Sequence, residues 1–185
     1  MLAIIGCGNP DRRDDGFGSA VIAQLKKLAA QRHWPGVALL DAGFDGAEVM
    51  LAARGASTLI VVDAHKSGAA PGSIYSVPGN EVAHAYETGF CLHDFRWDHA
   101  VHVARKLFKG ACPDDVLVLV VEEERFGPGG ELTPCVAAAL EPVVARIVAR
   151  IEASCVSGFL LPGPGPTLCL AQPTPAQHHH AWGNA

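Results

Sequence analysis

The stretch Thr58-Leu59-Ile60-Val61-Val62 constrains the fold more than any other part of the sequence. It is an uninterrupted aliphatic and β-branched run, and it ends abruptly in Asp63-Ala64-His65. A strand with no polar alternation suits the centre of a sheet covered on both faces. Four other segments fit the same plan. Leu2 to Ile5, Val37 to Leu40 and Val116 to Val121 read as strands, and Ser73 to Val77 alternates enough to lie nearer an edge. Between them, apolar residues recur at helical spacing: Phe17, Val21, Ile22, Leu25 and Leu28, then Ala47 to Arg54, then Val101, Ala104 and Phe108. Thr133-Pro134 has the form of a helix start, a capping hydroxyl followed by proline at the first position. Val136, Leu140, Val143, Ile147 and Ile151 then trace one long helix, which Pro142 is expected to kink. Strands alternating with helices predict a three-layer αβα sandwich, phosphorylase/hydrolase-like, around a mostly parallel, roughly five-stranded twisted sheet.

With 185 residues the chain has room for one well-buried domain, expected over 1–157. From Gly158 the composition turns to Pro, Gly, Thr, Gln and Ala and runs into His178-His179-His180. Residues 158–185 therefore read as a disordered tail whose histidines could hold a transition metal only weakly. A net charge of −5 and the lack of a basic stripe argue against nucleic acid as a partner. No apolar run approaches the roughly 18 residues a membrane span needs. The N-terminus has no secretory pattern, so a cytoplasmic location is expected. The cysteines, Cys7, Cys91, Cys112, Cys135, Cys155 and Cys169, show no CxxC spacing, which speaks against a closed zinc knuckle and for reduced thiols. Cys7 could serve as a nucleophile, but no partner base is suggested for it.

In a parallel sheet the ligand crevice lies outside the carboxyl ends of the strands. Three acids arrive there: Asp15 after the first strand, Asp41 after the second and Asp63 after the third. The turn from Gly6 to Gly18 has the glycines of a phosphate loop but ends in Asp14-Asp15, which suits a cation better, and its glycines would let a partner's chain come close. Both acids have a plainer explanation, since a helix N-terminus favours negative charge: one as cap, the other solvated. Asp63 is harder to explain that way. A charge after a buried strand is costly unless paired, and Lys66-Ser67-Gly68 does not resemble a helix start that it could cap. His93, just ahead of a helix, adds an imidazole. Two carboxylates and an imidazole make an open site for zinc, nickel, copper or iron, with positions left for water or a partner's ligands. The chemistry alone points to a metal-dependent α/β hydrolase or a metal-binding module.

The chain resembles the nickel–iron hydrogenase maturation proteases. The likeness rests on Gly6-Cys7-Gly8-Asn9 followed by Asp14-Asp15-Gly16-Phe17-Gly18, on Asp41-Ala42-Gly43, and on Leu59-Ile60-Val61-Val62-Asp63-Ala64. His93 before a helix and Leu132-Thr133-Pro134 extend it, so that it covers about residues 1 to 155. The resemblance implies removal of a C-terminal peptide from a [NiFe] hydrogenase large-subunit precursor after nickel insertion. It implies Asp15, Asp63 and His93 as metal ligands, and Asp41 as a neighbouring functional acid. The metal would be the substrate's own nickel, with zinc or cadmium able to take its place in vitro, and the protein is expected to act as a monomer. Either the metal polarises the scissile carbonyl or supplies hydroxide, or nickel serves for recognition while an acid such as Asp41 activates water. Asp11-Arg12-Arg13, Phe44 and Phe95-Arg96-Trp97-Asp98 depart from the family pattern near the expected substrate groove. A non-catalytic nickel checkpoint or carrier on the same fold is the second reading. A nucleotide-binding module is a third, disfavoured by the acid-rich turn and the missing Rossmann spacing.

Overall fold

A computed structural model of the chain describes residues 1–82 and 97–156. His93 and the expected tail, 158–185, lie outside the described residues. Strands β1 (Leu2–Cys7), β2 (Val37–Gly43), β3 (Thr58–His65), β4 (Ile74–Pro78) and β5 (Asp115–Glu122) form one five-stranded sheet in the order β2-β1-β3-β5-β4. The first four in that order pair in parallel, and β4 runs antiparallel to β5 at the edge. The helices are α1 (Phe17–Ala29), α2 (Gly46–Ala53), α3 (Gly79–Val82), α4 (Trp97–Phe108), α5 (Pro134–Ala137) and α6 (Leu140–Val156).

The continuous apolar character of β1 and β3 follows from their central place. On one face Ile4, Ile60 and Val62 pack against Phe17, Val21 and Ile22 of α1 and Val143 and Ile147 of α6. On the other, Ala3, Ile5, Leu59 and Val61 meet Val49 and Ala53 of α2 and Ala100, Val101 and Ala104 of α4. Each fully buried Leu, Ile or Phe contributes roughly 1.5–3 kcal/mol relative to exposure. The expected αβα sandwich is therefore the observed one. Among the described residues no helix is long and apolar enough to cross a membrane.

Three local expectations are corrected. The long helix after Thr133 is two: α5 stops at Ala137, α6 begins at Leu140, and Pro142 falls in the first turn of α6. A first-turn N–H has no intrahelical acceptor, so proline is tolerated there, and the interruption lies ahead of the ring. Next, β2 and β3 run on to Gly43 and His65, so Asp41 and Asp63 lie within strands and obey their alternation. Finally, the glycines of the opening turn serve the chain's own packing. A Cβ on Gly18 would sit 2.2 Å from the Cys7 carbonyl oxygen and 2.6 Å from that of Val62, and one on Gly6 would sit 2.3 Å from that of Gly18. Only glycine lets α1 start in backbone contact with both central strands, which holds the 8–16 turn over their carboxyl ends.

Candidate active site

The strand order reverses between β1 and β3, and a cleft of about 550 Å³ opens there at the carboxyl ends of the strands. This is the crevice position expected of an open α/β sheet. Asp15, Asp63, Glu123 and Cys7 line its inner part, and the exposed rings of Phe44 and Phe126 lie at its mouth.

Alternation along the strands decides which acids reach the cleft. Asp63 lies on the same side of β3 as Leu59 and Val61, the side covered by α2 and α4, where the cleft opens. It is buried, and its Oδ1 accepts from the Ala64 N–H at 2.9 Å. Asp41 shares its side of β2 with Val37 and Leu39, toward α1. Its Oδ1 accepts from the Ser19 hydroxyl at 2.8 Å, and Asp41 is not among the residues lining the cleft. Of the sequence-derived acids, Asp15 and Asp63 come together and Asp41 stands apart.

Asp15 is carried into the cleft by a 3-10 turn, Asp14–Gly16. Its Oδ2 accepts from the Asn9 N–H at 3.1 Å. Gly8 makes this crossing possible: its φ is 107°, and a Cβ there would lie 1.8 Å from the Asp15 carbonyl oxygen.

Asp14 is neither cap nor solvated. It is fully buried and accepts from the N–H groups of Glu124 (2.9 Å), Arg125 (2.8 Å) and Thr133 (2.7 Å) and from the Thr133 hydroxyl (3.0 Å). The Thr133 hydroxyl accordingly bonds to Asp14 and leaves α5 without a side-chain cap. Burial pushes the Asp14 carboxyl up, but the bonds from Thr133, Arg125 and Glu124 outweigh it and hold it below its usual range.

Two further buried acids at this edge of the sheet were not singled out by the sequence. Glu122 ends β5 nearly fully buried and accepts from the N–H groups of Ser67, Gly68 and Ala69 and from the Ser67 hydroxyl. The Ser67 hydroxyl is the main reason its carboxyl is held low, against burial and with the three amides in support. Glu123, next in the chain, turns into the cleft. Burial pushes its carboxyl up; Lys66, 3.9 Å away, pulls it down, while Asp15, Asp14 and Glu122 push it further up. The signal that singled out Asp63, a carboxylate after a buried apolar strand, was also there in Val116 to Val121 followed by Glu122-Glu123-Glu124.

Chemically, the cleft is lined by four carboxylates, Asp15, Asp45, Asp63 and Glu123, with Lys66 as the one lysine against them, so it favours a cation or a group that gains positive charge. Among the described residues no group of three or more His, Cys, Asp or Glu side chains is arranged to hold a metal ion. The expected third ligand, His93, lies outside the described residues. Cys7 is buried at the end of β1 in the inner wall.

The family model described as hydrogenase maturation protease matches residues 22–150. The hydrogenase expression/formation protein HoxM of Azotobacter vinelandii is 32% identical over 145 residues, which is 77% of this chain and 68% of that protein. The hydrogenase 2 maturation protease of Escherichia coli K12 is 26% identical over 159 residues, covering 85% of this chain and 94% of that one. Among solved structures, the hydrogenase maturating endopeptidase HybD from E. coli superposes with a TM-score of 0.69 at 26% identity, over 83% of this chain and 93% of its own.

Proposed function

The chain belongs to the hydrogenase maturation protease family, and from that premise we propose that it is the endopeptidase that removes the C-terminal peptide of a [NiFe] hydrogenase large-subunit precursor once nickel is in place. The observation that carries this reading is the convergence of Asp15 and Asp63 on one cleft at the strand switch point. A carboxylate from the turn and one from β3 offer oxygen donors to the nickel that the precursor brings, and His93 adds an imidazole, as the family likeness implies. Few protein ligands suit a metal that arrives already coordinated by another protein, because open positions remain on it.

Hydrolysis then needs a water oriented toward the scissile carbonyl and a base to accept its proton. Asp41, held by Ser19 on the α1 side, is outside the cleft lining. Water activation accordingly falls to a carboxylate within the cleft, which takes the water's proton as the hydroxide oxygen adds to the carbonyl carbon. The same carboxyl returns a proton to the leaving amine.

Incubating nickel-loaded and nickel-free precursor with the protein, and measuring intact masses before and after, tests the reading. A C-terminal peptide is expected to be lost from the loaded precursor only. Asp63→Asn is expected to slow this by about 10²-fold or more while leaving the melting temperature close to wild type. Equal cleavage of both precursors would remove nickel from the recognition step. If neither is cleaved while nickel travels with this protein on a sizing column, the chain is a carrier.

A further inference from the structure

Two exposed aromatic rings meet at the mouth of the cleft. Phe44 follows directly on β2, and its ring is 82% exposed. Phe126 lies in the segment between β5 and α5 and is 50% exposed. Both line the cleft that holds Asp15 and Asp63. In the sheet, β2 flanks β1 and β5 flanks β3, so the two rings come from opposite sides of the β1/β3 floor. Leaving one large ring in water needs no explanation, but two at the rim of one acidic cleft do.

The second ring is also held in place. The guanidinium of Arg12 stacks over it, 4.0 Å from the ring centroid. It makes no hydrogen bond or ion pair with any described residue, so its contact among them is the stack. The segments carrying the two residues are tied together by bridges between Arg12 and Gly129 and between Arg13 and Phe126. The Gly129 N–H donates to the Asp11 carbonyl at 3.0 Å, and Arg13 Nε donates to the Pro128 carbonyl at 3.1 Å. Arg13 takes up a left-handed backbone conformation, φ 57°, to make this strap, a cost an unbranched non-glycine residue bears only where its surroundings enforce it. Asp14 fastens the strap from below through the N–H groups of Glu124 and Arg125. So much fixed backbone under a half-exposed ring is preorganisation: the ring loses little freedom when something closes on it.

We propose that Phe44 and the Arg12-stacked Phe126 form a specificity clasp that grips a bulky apolar side chain of the precursor next to the bond to be cut. This rests on the protease reading, because the occupant is the peptide that must reach Asp15 and Asp63 between the two rings. An extended peptide directs successive side chains to opposite sides. One apolar side chain can then sit between the rings while the neighbouring peptide bond faces the acids. Arg12 acts as a positioning residue through Phe126. The carboxylates recognise the cation, and the rings select among precursors.

The test uses the full chain and the purified nickel-loaded large-subunit precursor from the same organism, with equilibrium binding and cleavage measured separately. Phe44→Thr and Phe126→Ser are each expected to raise Kd and KM about tenfold with kcat changed less than about threefold. Replacing the bulky apolar residue beside the cut by serine should weaken wild-type binding equally, yet add little to the loss in the double variant. Arg12→Lys keeps the charge but not the planar stack, and should fall between wild type and Phe126→Ser. An unchanged Kd and KM in a folded double variant, with cleavage intact, overturns the clasp and leaves the protease reading standing. Tight, ring-dependent binding without cleavage overturns the protease reading and keeps the clasp. No binding by the wild-type chain overturns both.

Discussion

Asp14 and Asp15 are neighbours in sequence, and Glu122 and Glu123 are too, yet in each pair the two carboxylates do opposite work. Asp14 and Glu122 form the fastening region. Each accepts three backbone N–H groups and one hydroxyl, and each ties a loop across the carboxyl edge of the sheet. Asp15 and Glu123 belong to the cleft region. Asp15 accepts one backbone N–H, and the Glu123 carboxylate has Lys66 at 3.9 Å. Burial does not separate the two kinds, because Glu123 is only 8% exposed and Glu122 only 2%. The number of donors aimed at the charge does. A carboxylate with four donors is committed to the fold, and one with few keeps its lone pairs for a ligand.

The largest effect expected from this contrast comes from Asp14→Ala set against Asp15→Ala. Removing Asp14 leaves three N–H groups facing a vacancy in a buried place, at about 1–3 kcal/mol for each group left unsatisfied. A loss of about 3 kcal/mol or more is expected, which lowers the melting temperature by roughly 6 °C or more in a chain of this size. Asp15→Ala gives up one partly exposed bond, should melt within a few degrees of wild type, and should lose processing of the precursor. Calorimetry on both variants decides the matter. If they melt together, or if Asp15→Ala is the less stable, the division into fastening and cleft acids is wrong.

Acid should expose the same division at an intermediate scale. Asp14 and Glu122 have folded pKa values below their ordinary 3.8 and 4.5. The unfolded chain therefore takes up protons first as the pH drops. The stability they provide is complete above those ordinary values and is lost as the pH falls through the lower folded ones. Denaturant midpoints measured from pH 6 to pH 3 should fall steeply for wild type. The fall should be shallower for Glu122→Gln, which starts from a lower stability. Equal slopes in the two proteins would mean that Glu122 is not held low by the 67–69 loop.

What could be read from the sequence was local. Apolar runs marked four strands and alternation marked the edge strand, and an acid after such a run marked Asp63, because strand burial and the cost of an unpaired charge are both written in consecutive residues. Asp15 followed from the turn and the helix behind it. The job of Asp14 could not be read, since its partner Thr133 is 119 residues away in sequence. Glu122 depends on a loop more than 50 residues earlier. The place of Asp41 could not be read for a different reason: its strand runs three residues further than its apolar run, to Gly43. That places the carboxylate in the alternating pattern and turns it toward Ser19. The strap from Arg12 to Phe126 brings together residues more than 110 apart, and only a departure from the family pattern hinted at Arg12.

The smallest predicted effect has the opposite sign and sharpens the contrast most. Burial and the charges of Asp15, Asp14 and Glu122 raise the Glu123 carboxyl above its ordinary 4.5, with Lys66 compensating only in part. A group whose folded pKa is raised favours folding below its unfolded value, and that contribution is lost as the pH rises through the folded one. Above its folded pKa the ionised Glu123 is thus a burden on the fold. Glu123→Gln should therefore raise the melting temperature at pH 7 to 8 by no more than about 3 °C, with the gap closing at pH values below 4.5, where both side chains are neutral. The same substitution at Glu122 should lower it, because a carboxylate that four donors surround is exchanged for an amide that brings its own N–H groups to them. Opposite signs at two adjacent glutamates, in one assay at one pH, would be hard to obtain from any cause but the donor count. If Glu123→Gln is destabilising at neutral pH, then Lys66 outweighs burial and the neighbouring acids, and Glu123 belongs with the fastening region after all.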